Sequence, residues 1–211
     1  MIPNVVVLDY GSGNLRSAER ALERAGAHVT VTPDLGAARA ADGLVVPGVG
    51  AFAACMAGIR AIGGDRVVRE RASAGRPVLG ICVGMQVLFT EGVEHGTRTQ
   101  GIGLFPGAVD RLEAERVPHM GWNTVHTVRG SRLFGGLESE RFYFVHSYAA
   151  KPAGMRTGCS TDMLVTTAEH GEPFVAAVET TDRVVAATQF HPEKSSGAGT
   201  ALLQNWLKTL S

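Results

Sequence analysis

Three short runs of almost purely apolar residues constrain the fold more than anything else in the chain. They are Asn4–Leu8, residues 44–46 and residues 77–81. Each is too short for a helix and lacks the apolar–polar alternation of a half-exposed strand. Each therefore reads as a strand covered on both faces, the habit of parallel sheets. All three run into turns that contain glycine: Asp9-Tyr10-Gly11-Ser12-Gly13-Asn14, Pro47-Gly48-Val49-Gly50 and Cys82-Val83-Gly84. After the first turn, Leu15, Ala18, Leu22 and Ala25 recur at helical spacing until Gly26, a stop signal. Residues 28–31 read as another strand, and residues 51–62 and 66–74 as helices. This alternation predicts an α/β fold, an open and mostly parallel sheet with helices on both faces.

The second half changes character. Strand-like stretches at 108–112, 124–127, Arg141–His146, 163–168, 174–179 and 184–190 alternate with Gly- and Pro-bearing turns, a spacing suited to antiparallel hairpins. A closing helix carries Leu202, Leu203, Trp206 and Leu210 on one side. With no repeat, low-complexity segment or linker, residues 1–211 are expected to form one domain.

Composition narrows the function classes. Of 211 residues, 45% are hydrophobic, enough for a sizeable core, and the 20 Lys and Arg balance 20 Asp and Glu. No net positive field draws the chain to nucleic acid or anionic lipid, and no apolar run approaches a membrane span. Met1-Ile2-Pro3-Asn4 has no charged n-region and leads straight into a strand, so no signal peptide is expected. Cys55, Cys82 and Cys159 are odd in number, without a Cys-x-x-Cys pair, and the seven histidines show no metal-ligand spacing. A disulfide framework, a metal or another cofactor is not expected; a reducing cytoplasm is. Cys55 and Cys159 read as packing residues.

Cys82 is different. In Gly80-Ile81-Cys82-Val83-Gly84-Met85-Gln86 a thiol stands where strand turns into helix, with Met85, Leu88 and Phe89 on one helical face. The same Gly-x-nucleophile-x-Gly elbow carries the serine of many hydrolases. A lone cysteine is more often a small buried hydrophobe, and a base is needed to decide. Gln189-Phe190-His191-Pro192-Glu193-Lys194-Ser195 offers one. Extended backbone through Glu193 would put His191 and Glu193 on the same side. Carboxylate, imidazole and thiol would then complete a nucleophile–base–orienter arrangement. Taken alone, His191 could equally cap a strand beside a solvated Glu193; each motif supplies the partner the other requires. The Val83 N–H and the turn at Gly48 and Val49 are candidate oxyanion donors. Gly11 to Asn14 lacks the Walker lysine and the third dinucleotide glycine, so it reads as a turn or an interaction surface.

Together these segments resemble the class I (triad) glutamine amidotransferases. Within that class, Asp9 to Leu15, Pro47 to Phe52, His119-Met120-Gly121-Trp122-Asn123, Tyr143 to Tyr148 and Gln189 to Ser195 resemble the glutaminase subunits of imidazole glycerol phosphate synthase. The resemblance implies that Cys82 attacks L-glutamine, with His191 as base and Glu193 orienting it. It implies that Gly50, Gln86, Ser147 and Tyr148 hold the substrate and that Gly48, Val49 and Val83 line the oxyanion region. It further implies a HisF-type (β/α)8 cyclase subunit that receives the ammonia in histidine biosynthesis, with Asn14, Trp122 and Lys194 facing it. Those three also have ordinary readings: a helix N-cap, a rim aromatic and a solvated charge. The glutaminase of pyridoxal phosphate synthase and a catalytically silent docking module are the alternatives. Because Val49 is β-branched, one hypothesis follows for regulation: the Gly48–Val49 peptide rests with its carbonyl toward the site, until the partner and its ligand turn it.

Overall fold

In the computed structural model, which describes residues 1–156 and 163–210, the apolar runs become the centre of a seven-stranded sheet. Its strands are β1 (Asn4–Leu8), β2 (His28–Thr32), β3 (Gly43–Gly48), β4 (Val78–Cys82) and, from the end of the chain, β11 (Met163–His170), β12 (Glu172–Thr180) and β13 (Val185–Thr188). The order is β11-β12-β13-β4-β3-β1-β2. Strands β13, β4, β3, β1 and β2 are mutually parallel, while β12 and β11 add on as an antiparallel edge. β3 and β4 are buried at every residue, as two-sided coverage requires. Helix α1 (Leu15–Ala25) packs with α6 (Ser196–Leu207); α2 (Leu35–Ala40) and α3 (Phe52–Ala61) both pack with α4 (Gly64–Ser73).

Two smaller sheets flank this frame. β5 (Phe89–Glu94), β6 (Thr97–Gln100), β7 (Phe105–Arg111) and β10 (Tyr148–Ala150) make one, in the order β10-β7-β5-β6. β8 (His119–Thr124) and β9 (Arg141–His146) pair as an antiparallel ribbon. The mostly parallel α/β expectation holds, with local corrections. The helix after Cys82, α5, is a single turn, Val83–Gln86, and Phe89 already begins β5. Met85, Leu88 and Phe89 are buried as expected, but residues 101–105 return to take up the backbone there: Ile102 donates to the Val87 carbonyl, and Leu104 and Phe105 to that of Leu88. The strand expected at 124–127 lies earlier, at His119–Thr124, and His126 makes only an isolated bridge to Thr167. The stretch 184–190 is no hairpin arm on its β4 side. β13 enters the main sheet parallel to β4, a placement that decides where the site forms.

Arg71 on α4 is almost wholly buried. Its guanidinium donates to the carbonyls of Ala38, Arg39, Ala41, Asp42 and Pro77 at 2.9–3.2 Å. Burial lowers its pKa only to about 10, so it stays charged and ties the entry of β3 to that of β4.

Candidate active site

Strand register brings the chemistry together. β3 sets Gly48 opposite Cys82, and β13 sets Thr188 opposite Ile81, so both neighbouring strands release their loops at the end of β4. This is the rim of a parallel sheet where ligands bind. A cavity of about 240 Å³ opens there, lined by Val49, Gly50, Cys82, Val83, Gln86, Glu94, Val145, His146, Ser147, Tyr148, His191 and Lys194. Larger hollows along α1 and β2 and around the N-terminus hold no such nucleophile and base. Among the described residues no group of three His, Cys, Asp or Glu side chains could hold a metal ion.

Cys82 occupies a backbone conformation that L-residues avoid, φ 56° and ψ −114°. The strain is held by packing: a Cβ on Gly84 would lie 1.8 Å from the Val46 carbonyl oxygen, and one on Gly48 would lie 2.4 Å from the Gly84 nitrogen. Only glycines let the elbow press this closely on β3. A non-glycine residue so constrained is a mark of functional strain.

His191 Nδ1 lies 2.7 Å from Glu193 Oε1, with both side chains almost fully buried. The expected extended backbone through Glu193 is not what joins them. His191 is extended, but Pro192–Lys194 is a 3₁₀ turn, because proline suits the first turn of a helix, and the turn folds the carboxylate back onto the ring. Cys82 is the imidazole's other partner. Burial alone would lower the His191 pKa; Cys82 and Glu193 outweigh it and raise it to about 9. The ring therefore carries a proton at neutral pH, next to the sulfur. Ser195 fixes the segment, accepting from the Tyr143 N–H at 3.0 Å and donating to the His191 carbonyl at 2.7 Å.

The turn after β3 lines the cavity, but its Val49 N–H is turned away from it. The Val49 N–H donates to Ser12 Oγ at 3.1 Å, and Ser12 lies outside the cavity lining. In a planar trans peptide the Gly48 carbonyl then points the opposite way. Cys55, expected only to pack, donates its thiol to the Val49 carbonyl at 3.3 Å; burial pushes its pKa up, so the proton stays on. Tyr10 donates to the Pro47 carbonyl. Cys159 lies outside the described residues. Val83 lines the cavity as the first residue of α5, a position whose N–H has no intrahelical acceptor.

Gly50, Gln86, Ser147, Tyr148 and Lys194 all reach the same cavity. Asn14 and Trp122 do not. Asn14 is not a side-chain N-cap: it sits in the left-handed region at φ 69° and makes no capping bond. Its amide instead donates to Glu193 Oε1 at 2.6 Å, the oxygen His191 uses. Trp122 is 42% exposed beside exposed Met120. Gln189, quoted in the sequence motif without a role, is 1% exposed; its amide nitrogen faces Cys82 Sγ at 3.8 Å. Its place in the His-Pro-Glu segment was the available signal. His119 and His146, both buried, also lie in quoted motifs without a role, because no metal or triad spacing marks them.

Comparison with known proteins identifies the family. The family model described as glutamine amidotransferase class-I matches residues 6–210. A Mycobacterium bovis protein named imidazole glycerol phosphate synthase subunit HisH is 64% identical over 208 residues, 98% of each chain. One of the same name from Thermobifida fusca is 58% identical over 213 residues, covering both chains fully. A solved structure described as a glutamine amidotransferase superposes with a TM-score of 0.74 at 23% identity, over 98% of both chains. That last likeness speaks to the fold.

Proposed function

The chain belongs to the class-I glutamine amidotransferase family, and we propose that it is the glutaminase subunit of an imidazole glycerol phosphate synthase, acting through Cys82, His191 and Glu193. The observation that carries the site is the strained Cys82 elbow within reach of an imidazole that Glu193 orients and that is protonated at neutral pH. The names of the relatives favour this synthase over that of pyridoxal phosphate.

The mechanism follows from that geometry. The sulfur, its proton held by His191, attacks the side-chain carboxamide carbon of L-glutamine, and the carbonyl π pair moves onto oxygen. His191 gives its proton to the amide nitrogen, the C–N bond breaks, and ammonia leaves behind a γ-glutamyl thioester. Water then attacks the thioester carbon while His191 takes one of its protons. Glutamate departs and the sulfur is regenerated. Glu193 holds Nδ1 throughout, so Nε2 faces the reaction. Gly50, Gln86, Ser147 and Tyr148 hold the substrate.

The oxyanion needs donors at the sulfur. Val83 supplies one N–H, while the Val49 N–H is engaged by Ser12. Glutamine hydrolysis by the isolated chain is therefore slow, and docking of a (β/α)8 cyclase subunit with its ligand turns the Gly48–Val49 peptide. Asn14, Trp122 and Lys194 face that partner, which receives the ammonia in the cytoplasm. Cys82→Ala tests the reading. Synthesis from glutamine should vanish in the complex, while synthesis from added ammonium persists. Loss of both with the complex intact would overturn ammonia delivery.

A further inference from the structure

Away from the triad, a second set of polar side chains, the half-buried Asn123 and the buried His119 and His146, ends at the same cavity. Asn123 on β8 has its amide orientation fixed. Its Oδ1 accepts from the Thr124 N–H at 2.9 Å, and its Nδ2 donates to the Glu169 carbonyl at 3.0 Å. The same Nδ2 lies 3.2 Å from His119 Nε2, so that nitrogen must be the bare acceptor and Nδ1 must carry the hydrogen. His119 Nδ1 lies 3.0 Å from His146 Nε2, and His146 Nδ1 lies 3.0 Å from the Tyr148 carbonyl. A carbonyl only accepts, so His146 is also protonated at Nδ1. Both ends of the chain demand the same direction.

The Tyr148 carbonyl is a junction. It also accepts from Gln86 Nε2 at 2.9 Å; that nitrogen donates to Gln189 Oε1 at 3.0 Å, and Gln189 Nε2 faces the sulfur of Cys82. His119 is clamped between Phe144 and His170, with ring centroids 4.8 and 4.3 Å away. Burial holds His119 at about 4 and His146 at about 3, so both rings are neutral while the enzyme works.

We propose that Asn123, His119 and His146 are positioning residues: a one-way hydrogen-bond relay from β8 that fixes the Tyr148 carbonyl, and through it the Gln86 and Gln189 amides, in the orientation the glutamine site requires. This rests on the glutaminase reading, and it assigns a purpose to the inward face of β8. His119, Gly121 and Asn123 occupy that face, while Met120 and Trp122 point outward, where they are exposed.

Two measurements test it. In the 15N-labelled chain, two-bond 1H–15N spectra at neutral pH should show both rings neutral and protonated at Nδ1. An Nε2-protonated or cationic ring at either position would overturn the relay whatever the chain's activity, and this readout needs no variant to fold. In the complex with the cyclase, His119→Phe keeps the aromatic stack but cannot donate. It should raise KM for L-glutamine about tenfold, the worth of one net hydrogen bond, with kcat within about threefold. His119→Asn, whose Nδ2 can replace Nδ1, should return KM to within about threefold of the starting value. A folded His119→Phe with unchanged KM, or an asparagine variant no better than phenylalanine, would overturn the proposal. Failure of the glutaminase reading would appear separately, as a parent complex that does not hydrolyse glutamine.

Discussion

Replacing His191 by glutamine should flatten the alkaline side of the stability curve. In the folded chain Cys82 and Glu193 hold this imidazole at about 9 against the penalty of burial, compared with 6.5 for an ordinary histidine. A gap of that size corresponds to about 3 kcal/mol. Because the folded pKa is the higher one, the contribution is complete below pH 6.5 and disappears as pH rises through about 9. Unfolding free energies from urea denaturation between pH 6 and 10 should therefore converge. The advantage of the parent over His191→Gln shrinks by about 3 kcal/mol across that interval. Glu193→Gln retains Cys82 but loses the carboxylate, so its decline should be smaller and displaced to lower pH. His119 and His146 titrate far below this window, and groups that do not interact with His191 cancel in the difference. Parallel curves for the parent and His191→Gln would refute the paired-imidazole argument.

Acid acts through other histidines. Burial depresses His146 to about 3 and His119 to about 4, so their contribution is present above pH 6.5 and is lost as pH falls toward those values. A His119→Phe/His146→Phe chain should lose less stability between pH 6.5 and 4 than the parent, measured by the same denaturation. Ser12→Ala frees the Val49 N–H from a bond of about 1 kcal/mol and should raise partner-independent glutamine hydrolysis about fivefold; no increase would show that Ser12 does not restrain the turn. Asn14→Ala removes a donor to the buried Glu193 carboxylate and should lower kcat in the complex at least tenfold with KM little changed. An unaltered kcat would release Asn14 from the triad. Gly84→Ala forces a Cβ into the Val46 carbonyl and should cost at least about 3 kcal/mol of unfolding free energy, read by urea denaturation against the parent.

The parallel core was legible because its strands are apolar on both faces and β-branched, because the glycine turns mark their ends, and because Gly26 stops the helix that follows the first. The elbow and the His-Pro-Glu segment were legible because nucleophile and base each need the other. What escaped has identifiable causes. Helix α2 is only six residues long, too short for a periodicity, although Asp34 caps it by accepting from the Gly36 and Ala37 N–H groups. The β5–β6 hairpin turns at His95-Gly96, both with positive φ, and its second strand is mostly exposed, so no alternation appears. β8 was placed too late because its inward residues are His119, Gly121 and Asn123, a polar face that hydrophobic periodicity cannot detect. Local rules failed there because the strand carries hydrogen bonds into the site in place of apolar surface.

The position of β13 has a consequence for synthesis on the ribosome. β4 is complete once residue 82 has emerged, yet its neighbour on one side is a strand that ends at residue 188. Until then an apolar edge stands open, and the nucleophile has neither base nor orienter. Open edges of this kind pair readily with other chains, and contacts this distant along the chain form slowly. A translation stall before Val185 would therefore leave an intermediate that is both inactive and adhesive. The nascent chain stays chemically silent toward glutamine until the last strand of the sheet slots into its middle.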